Sequence, residues 1–204
     1  MLLWLEFLAG KSKDLVSIFS GYYYNIIKTK RRNIVARKYT GNSDGNSGKA
    51  LPGTQKLLEL CKKRWGFSNL GIWANRSMKN PKAIPGDPKW LSVHATGRAI
   101  DIGYTDRKKA VEAWDWFMAN TAALGIEELH DYAFDSNVKD KVLGWGRGYR
   151  CSRGEGEKGV KVYDSKDNAG SQGGKWLHIE LSPEMAKDDA KFEAAWRALP
   201  KPGA

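Results

Sequence analysis

The sequence predicts an α+β domain: a small, mainly antiparallel sheet with helices on one face and a polar cleft on the other. Two kinds of pattern carry that expectation. In Ala99-Ile100-Asp101-Ile102-Gly103 and in Trp176-Leu177-His178-Ile179-Glu180-Leu181, aliphatic residues alternate with polar or small ones, the period of a strand with one buried face. The stretches Leu51 to Trp65, Arg107 to Leu124 and Asp188 to Leu199 instead space their apolar residues at three and four, as a helix with one buried stripe does. One-sided strands and one-sided helices bury their apolar surfaces by lying against each other.

At 204 residues the chain has room for one ordinary domain and an appendage. Met1 to Ala9 is apolar apart from Glu6, shorter than the about 20 residues a membrane-spanning helix needs, and a poor secretory signal without basic residues before it. Leu15, Ile18, Phe19, Tyr22 and Ile26 then share a helical side and lead into Lys28, Lys30, Arg31 and Arg32. Residues 1–38 therefore read as an amphipathic, basic appendage, which packs on protein or lies on an anionic membrane surface through residues 15–32. Residues 39–49 are dense in Gly, Asn, Ser and Asp and read as a linker. Residues 50–204 are left as the main domain.

Within it, Leu57, Leu58, Cys61 and Trp65 mark the inner stripe of the first helix, and Gly66 stops it. A short strand is expected over Ile72 to Asn75, and the prolines between Asn80 and Pro88 enforce a loop. Ala110, Val111, Trp114, Phe117 and Met118 line the helix that Gly125 ends. The next strand, Ile126 to Phe134, carries His130, which as a lone histidine reads as structural. From Ser152 to Gly174 no period is sustained, and a loop of that length commonly forms a functional rim. The two cysteines, Cys61 and Cys151, make neither a disulfide framework nor a cysteine metal site.

The chemistry concentrates in Ser92-Val93-His94-Ala95-Thr96-Gly97-Arg98-Ala99-Ile100-Asp101 and in His178-Ile179-Glu180. A catalytic zinc takes three ligands from His and Asp or Glu and leaves a further position open. His94, Asp101 and His178 would supply that set, because the isoleucines beside Asp101 and His178 point inward and leave both polar side chains over one cavity. Gly97 lets the chain turn sharply enough to bring His94 back beside Asp101.

The pattern Ser-x-His-x-x-Gly-x-Ala-x-Asp, followed by a hydrophobic strand with a second histidine, resembles the zinc D-alanyl-D-alanine carboxypeptidases and peptidoglycan endopeptidases. These share their fold with hedgehog signalling domains, and the likeness is to the phage lysin and extensin-like branch. It runs from about Leu70 to Leu181. The resemblance implies zinc on His94, Asp101 and His178, a substrate contact from Arg76, and a cleft in which Ser92 and Trp176 also meet substrate. It departs from the family at Lys175, where relatives carry the acidic residue that serves as general base. A lysine is protonated at its ordinary pKa and has no lone pair to accept a proton.

Glu180 is the replacement candidate, roughly 6.6 to 6.8 Å along the strand from His178 and on the same face. Two roles are open to it: moving the proton, or orienting a ligand from behind. Asp164 and Asp167 are further candidates without fixed geometry. The formal charge of +11 favours polyanions; no zinc-finger spacing, ribonucleoprotein aromatic signature or basic heptad accompanies it, so the expected partner is the anionic bacterial wall and not nucleic acid. The expected activity is zinc-dependent hydrolysis of an amide in peptidoglycan stem peptides by a phage lysin. The alternative is a zinc-stabilised wall-binding module without turnover.

Overall fold

A computed structural model describes residues 36–80, 82–134, 144–167 and 172–202, so the expected appendage up to residue 35, and with it the membrane-surface reading of residues 15–32, lies outside the described residues. The described elements are α1 (Pro52–Trp65), β1 (Ser68–Gly71), β2 (Ala99–Gly103), α2 (Arg107–Ala119), β3 (Ile126–Asp131), β4 (Arg147–Arg150), β5 (Val160–Val162), β6 (Trp176–Leu181), α3 (Pro183–Lys187) and α4 (Asp189–Arg197), with short 3-10 turns between them. The six strands form one sheet in the order β1-β2-β6-β3-β4-β5, and every pairing is antiparallel. The α+β class and the antiparallel sheet are as expected. No helix among the described residues is long and apolar enough to cross a membrane.

Local chemistry sets the helix ends. Pro52 opens α1, where its missing N–H would have had no partner, and Gly66 closes it at φ 76°, returning its N–H to the Lys62 carbonyl. The side chains of Asp106, Ser182 and Asp188 accept from the first free N–H groups of α2, α3 and α4. Alternation along β2, β3 and β6 then sends Ile100, Ile102, Leu129, Leu177, Ile179 and Leu181 into one core with Leu57, Trp114, Phe117 and Phe192 of the helices. The opposite face of the same strands is polar.

Several boundaries differ from the sequence reading. The first strand lies at Ser68–Gly71, ahead of Ile72 to Asn75, which leaves the sheet while the Trp73 indole N–H donates to the Ala95 carbonyl at 3.1 Å. The second helix ends at Ala119, because the Asn120 amide turns back to the Trp116 carbonyl at 2.7 Å and competes with the next helical bond. β3 stops at Asp131, the rim from Ser152 to Gly174 contributes the edge strand β5, and the closing helix begins only at Asp189. Both cysteines are buried and free, Cys151 as well as Cys61.

The largest correction concerns residues 39–49, which are a strap built into the domain and not a linker. Arg98, wholly buried at 0 % exposure, donates to the Gly41 and Leu181 carbonyls, pairs with Asp44 at 2.9 Å and faces Glu127 at 3.4 Å. Thr40 gives Glu127 its N–H at 3.1 Å and its hydroxyl at 2.7 Å, and the Asn42 amide donates to the Leu91 carbonyl at 2.7 Å. Just before the strap, Arg37 donates to the Ile126 carbonyl at 2.6 Å and pairs with Glu155. Turn-forming residues mark irregular backbone, and here a buried guanidinium satisfies that backbone in place of water.

Replacing Arg98 by Met keeps the volume but strips Asp44 and Glu127 of their cation. The loss should be about 3 to 5 kcal/mol in urea unfolding. A loss under about 1 kcal/mol would mean the strap is held without Arg98.

Candidate metal centre

Antiparallel pairing of β2 with β6 sets Asp101 directly opposite His178. The 3-10 turn Val93–Thr96 brings His94 to the same place, closed by Gly97 at φ 74°. A Cβ on Gly97 would run into the Lys49 carbonyl, so the left-handed turn and the strap packed on it both require glycine. As a result His94 Nε2 lies 3.2 Å from Asp101 Oδ2, and His178 Nδ1 lies 2.8 Å from Asp101 Oδ1. One ligand atom from each of the three falls within 4.8 Å of the others. The sequence-predicted trio is therefore brought together.

What stands behind His178 selects its tautomer. Its Nε2 lies 3.0 Å from Glu180 Oε1, and Glu180 Oε2 accepts the Tyr39 hydroxyl at 2.8 Å. An Nε2–H donated to Glu180 leaves the Nδ1 lone pair facing Asp101 and His94, the form a metal needs. Two imidazole nitrogens and a carboxylate are a donor set suited to zinc, and the residues fit such an ion. Both oxygens of Glu180 are engaged, so of the two roles open to it the geometry is that of the orienting one. The Tyr39 ring is held in turn under the Arg150 guanidinium, 4.4 Å from ring centre to carbon.

The electrostatics follow from that arrangement. Burial works against a charge on His178, but hydrogen bonds to Asp101 and Glu180 outweigh it and push the imidazole up to about 10. Burial would raise Asp101, yet the two imidazoles hold it well below the usual carboxylate range. Burial lowers His94 despite its bond to Asp101, and the neighbouring His178 lowers it further. The trio without metal is thus a carboxylate clasped by one protonated and one neutral ring.

The trio opens into a cleft of about 290 Å³ that Arg76, Ser92, Trp176 and Glu180 also line. The exposed Arg76 guanidinium makes no hydrogen bond or ion pair among the described residues, while its carbonyl accepts the Ser92 N–H at 2.9 Å. Lys175 bonds through its backbone to Tyr104 at 3.1 Å and is not part of the cleft lining. Asp164 and Asp167 turn onto their own loop, where Asp167 accepts the Asp164 N–H at 3.0 Å and pairs with Lys161.

The sequence reading missed Tyr39, Glu128 and Tyr132, which line the cleft together with Arg150. Glu128 lies opposite Glu180, and His130 opposite His178, so the polar alternation of β3 was a usable signal. His130 is more engaged than a lone structural histidine: it contacts Glu128 at 2.7 Å and the Tyr132 and Tyr163 hydroxyls at 3.2 Å each. Only a glycine at position 148 leaves space for the Tyr163 hydroxyl beside it. Arg150 grips Glu128 with three bonds of 2.8, 3.0 and 3.2 Å. Every carboxylate lining the cleft, Asp101, Glu128 and Glu180, therefore has a partner. Comparison of the chain with protein-family models, curated proteins and solved structures finds no match.

If Glu180 orients His178, Glu180→Gln should weaken zinc binding by about 10- to 100-fold in competition with a chelating dye, and Tyr39→Phe should weaken it in the same direction. Unchanged affinity in both would return Glu180 to the proton-moving role. A second expectation concerns pH. The His178 proton contributes stability that is complete below its unfolded pKa of about 6.5 and is lost as pH rises through about 10. The depressed Asp101 contributes stability that is present above about pH 3.9 and is lost as pH falls. His94, lowered by burial, takes stability away as pH falls below about 6.5, so across about pH 4 to 9 chelated protein should melt highest near pH 6.5, and the stabilisation by zinc should widen with pH because zinc displaces the His178 proton. Melting curves in chelator and in zinc across that range test both signs.

Proposed function

We propose that the chain hydrolyses an amide bond in peptidoglycan stem peptides, as a DD-carboxypeptidase or an L-Ala-D-Glu-type endopeptidase, in the manner of a phage cell-wall lysin. The observation that carries the reading is the convergence of His94, Asp101 and His178 in a cleft that is also lined by Arg76, which has no side-chain partner among the described residues. His94, Asp101 and His178 would hold a zinc ion, which would supply Lewis acidity toward a carbonyl and toward water near neutral pH. Asp101 contributes the negative charge of the site, and Glu180 with Tyr39 keeps the His178 ring in place.

Arg76, without a side-chain partner among the described residues, would hold a peptide carboxylate or the developing oxyanion through its fork of donors. Trp176 and Tyr132, with ring centres 5.1 Å apart, give the peptide an aromatic wall. The +11 charge would concentrate the protein on an anionic wall. The second reading, a zinc-stabilised wall-binding module without turnover, is favoured by one specific observation. Every carboxylate among the described residues lining the cleft is engaged, and Lys175 stands where the peptidases that the motif resembles carry an acidic residue.

Zinc-loaded protein incubated with purified peptidoglycan should release new amino groups, identified by mass spectrometry of the products. His178→Ala should abolish the release, and Arg76→Ala should lower kcat/KM by about 100-fold or more. Wall binding with no release by the wild-type protein would reject hydrolysis and favour the binding module.

A further inference from the structure

A second cavity of about 560 Å³ adjoins the metal cleft, and Arg76 lines both. Three segments that meet only in the fold build its walls: Asn46 of the strap, Asn75 to Ser77, and the turn that carries Asp87 and Pro88. The walls are tied to one another in advance. The Asn46 amide donates to Asn75 Oδ1 at 2.9 Å, Ser77 bridges to Leu91, and the Asn42 amide donates to the Leu91 carbonyl at 2.7 Å. A volume in this range is that of a small-molecule site.

The lining says what kind of group would enter. Asn75 keeps its amide donors, Ser77 offers a hydroxyl, and Asp87 has an oxygen beyond the one that caps the Lys89 N–H at 2.9 Å. Pro88 and Leu91 add an apolar surface. Among the lining residues the one cation is Arg76, which also lines the metal cleft, and Asp87 would repel a carboxylate placed beside it. Donors, acceptors and apolar surface without a net positive interior suit an uncharged group rich in hydroxyls and amides. They do not suit a stem peptide with free carboxylates.

We propose that this cavity is a second subsite, which takes the N-acetylated sugar of a glycan-linked stem while the peptide passes Arg76 into the metal cleft. The proposal rests on the peptidoglycan reading for its substrate class, but its binding arm is independent of turnover. The probe is N-acetylmuramyl-L-alanyl-D-isoglutamine, with the free dipeptide as control, titrated into zinc-loaded protein and followed by backbone amide NMR.

The sugar-bearing probe should shift Asn46, Ser77 and Gly86, the free dipeptide should not, and Ser77→Trp, which fills the cavity, should remove those shifts while the rest of the spectrum stays folded. Equal shifts from both ligands, no shifts from either, or shifts that survive Ser77→Trp would each overturn the subsite. In the kinetic arm, kcat/KM for a muramyl-linked stem should exceed that for the free stem by tenfold or more, and Ser77→Trp should bring the ratio near one. Cleavage of both substrates at equal rates overturns the subsite and leaves hydrolysis standing. Cleavage of neither, with the NMR shifts intact, rejects hydrolysis and leaves the subsite standing.

Discussion

The constraint on which the site depends is the register of β2 against β6. Because strand side chains alternate, pairing Asp101 with His178 places both on the polar face and Ile100, Ile102, Leu177 and Ile179 in the core by the same act. A slip of one residue would turn the isoleucines into the cleft and bury the carboxylate among helices, so the apolar core enforces the geometry of the polar site. β3 extends the rule by one strand and sets His130 beside His178 and Glu128 beside Glu180.

The strap is the second determinant, and it acts on the site from behind. Tyr39 bonds the carboxylate that orients His178, the Ser47 N–H donates to the carbonyl of Ala95 at 2.9 Å, and Asn46 holds Asn75 beside Arg76. Each of these contacts lies within two residues of a site side chain. Arg98, inside the motif itself, anchors the strap from below through Gly41 and Asp44. One short motif therefore supplies a member of the trio at each end and, between them, the cation that ties down the segment steadying the third.

What could be read in advance was what has a period. β2 appears at its expected residues and β6 likewise, because two-residue alternation in Ile and Leu leaves one register that buries them. The helices were visible through their stripes, but α2 ends early because a side-chain amide intervenes at Asn120, which no periodicity reports. The strap was misread because Gly, Asn, Ser and Asp have the same composition in a solvated tether as in a segment whose polar groups meet a buried arginine. The roles of Tyr39 and Arg150 depend on strand order, with β4 beside β3 and the strap across β6, and a single sequence does not disclose that order. Glu180 was placed correctly on the face of His178, but spacing could not say which imidazole nitrogen it would meet.

Burial of the two thiols has a consequence for where such a chain can work. Cys61 and Cys151 are each 0 % exposed, and burial pushes both above the ordinary thiol range, so neither offers a thiolate to oxidants or to soft metals. The covalent structure is then the same in a reducing cytoplasm as in an oxidising exterior. Passage from a reducing to an oxidising compartment would require no redox maturation of this chain.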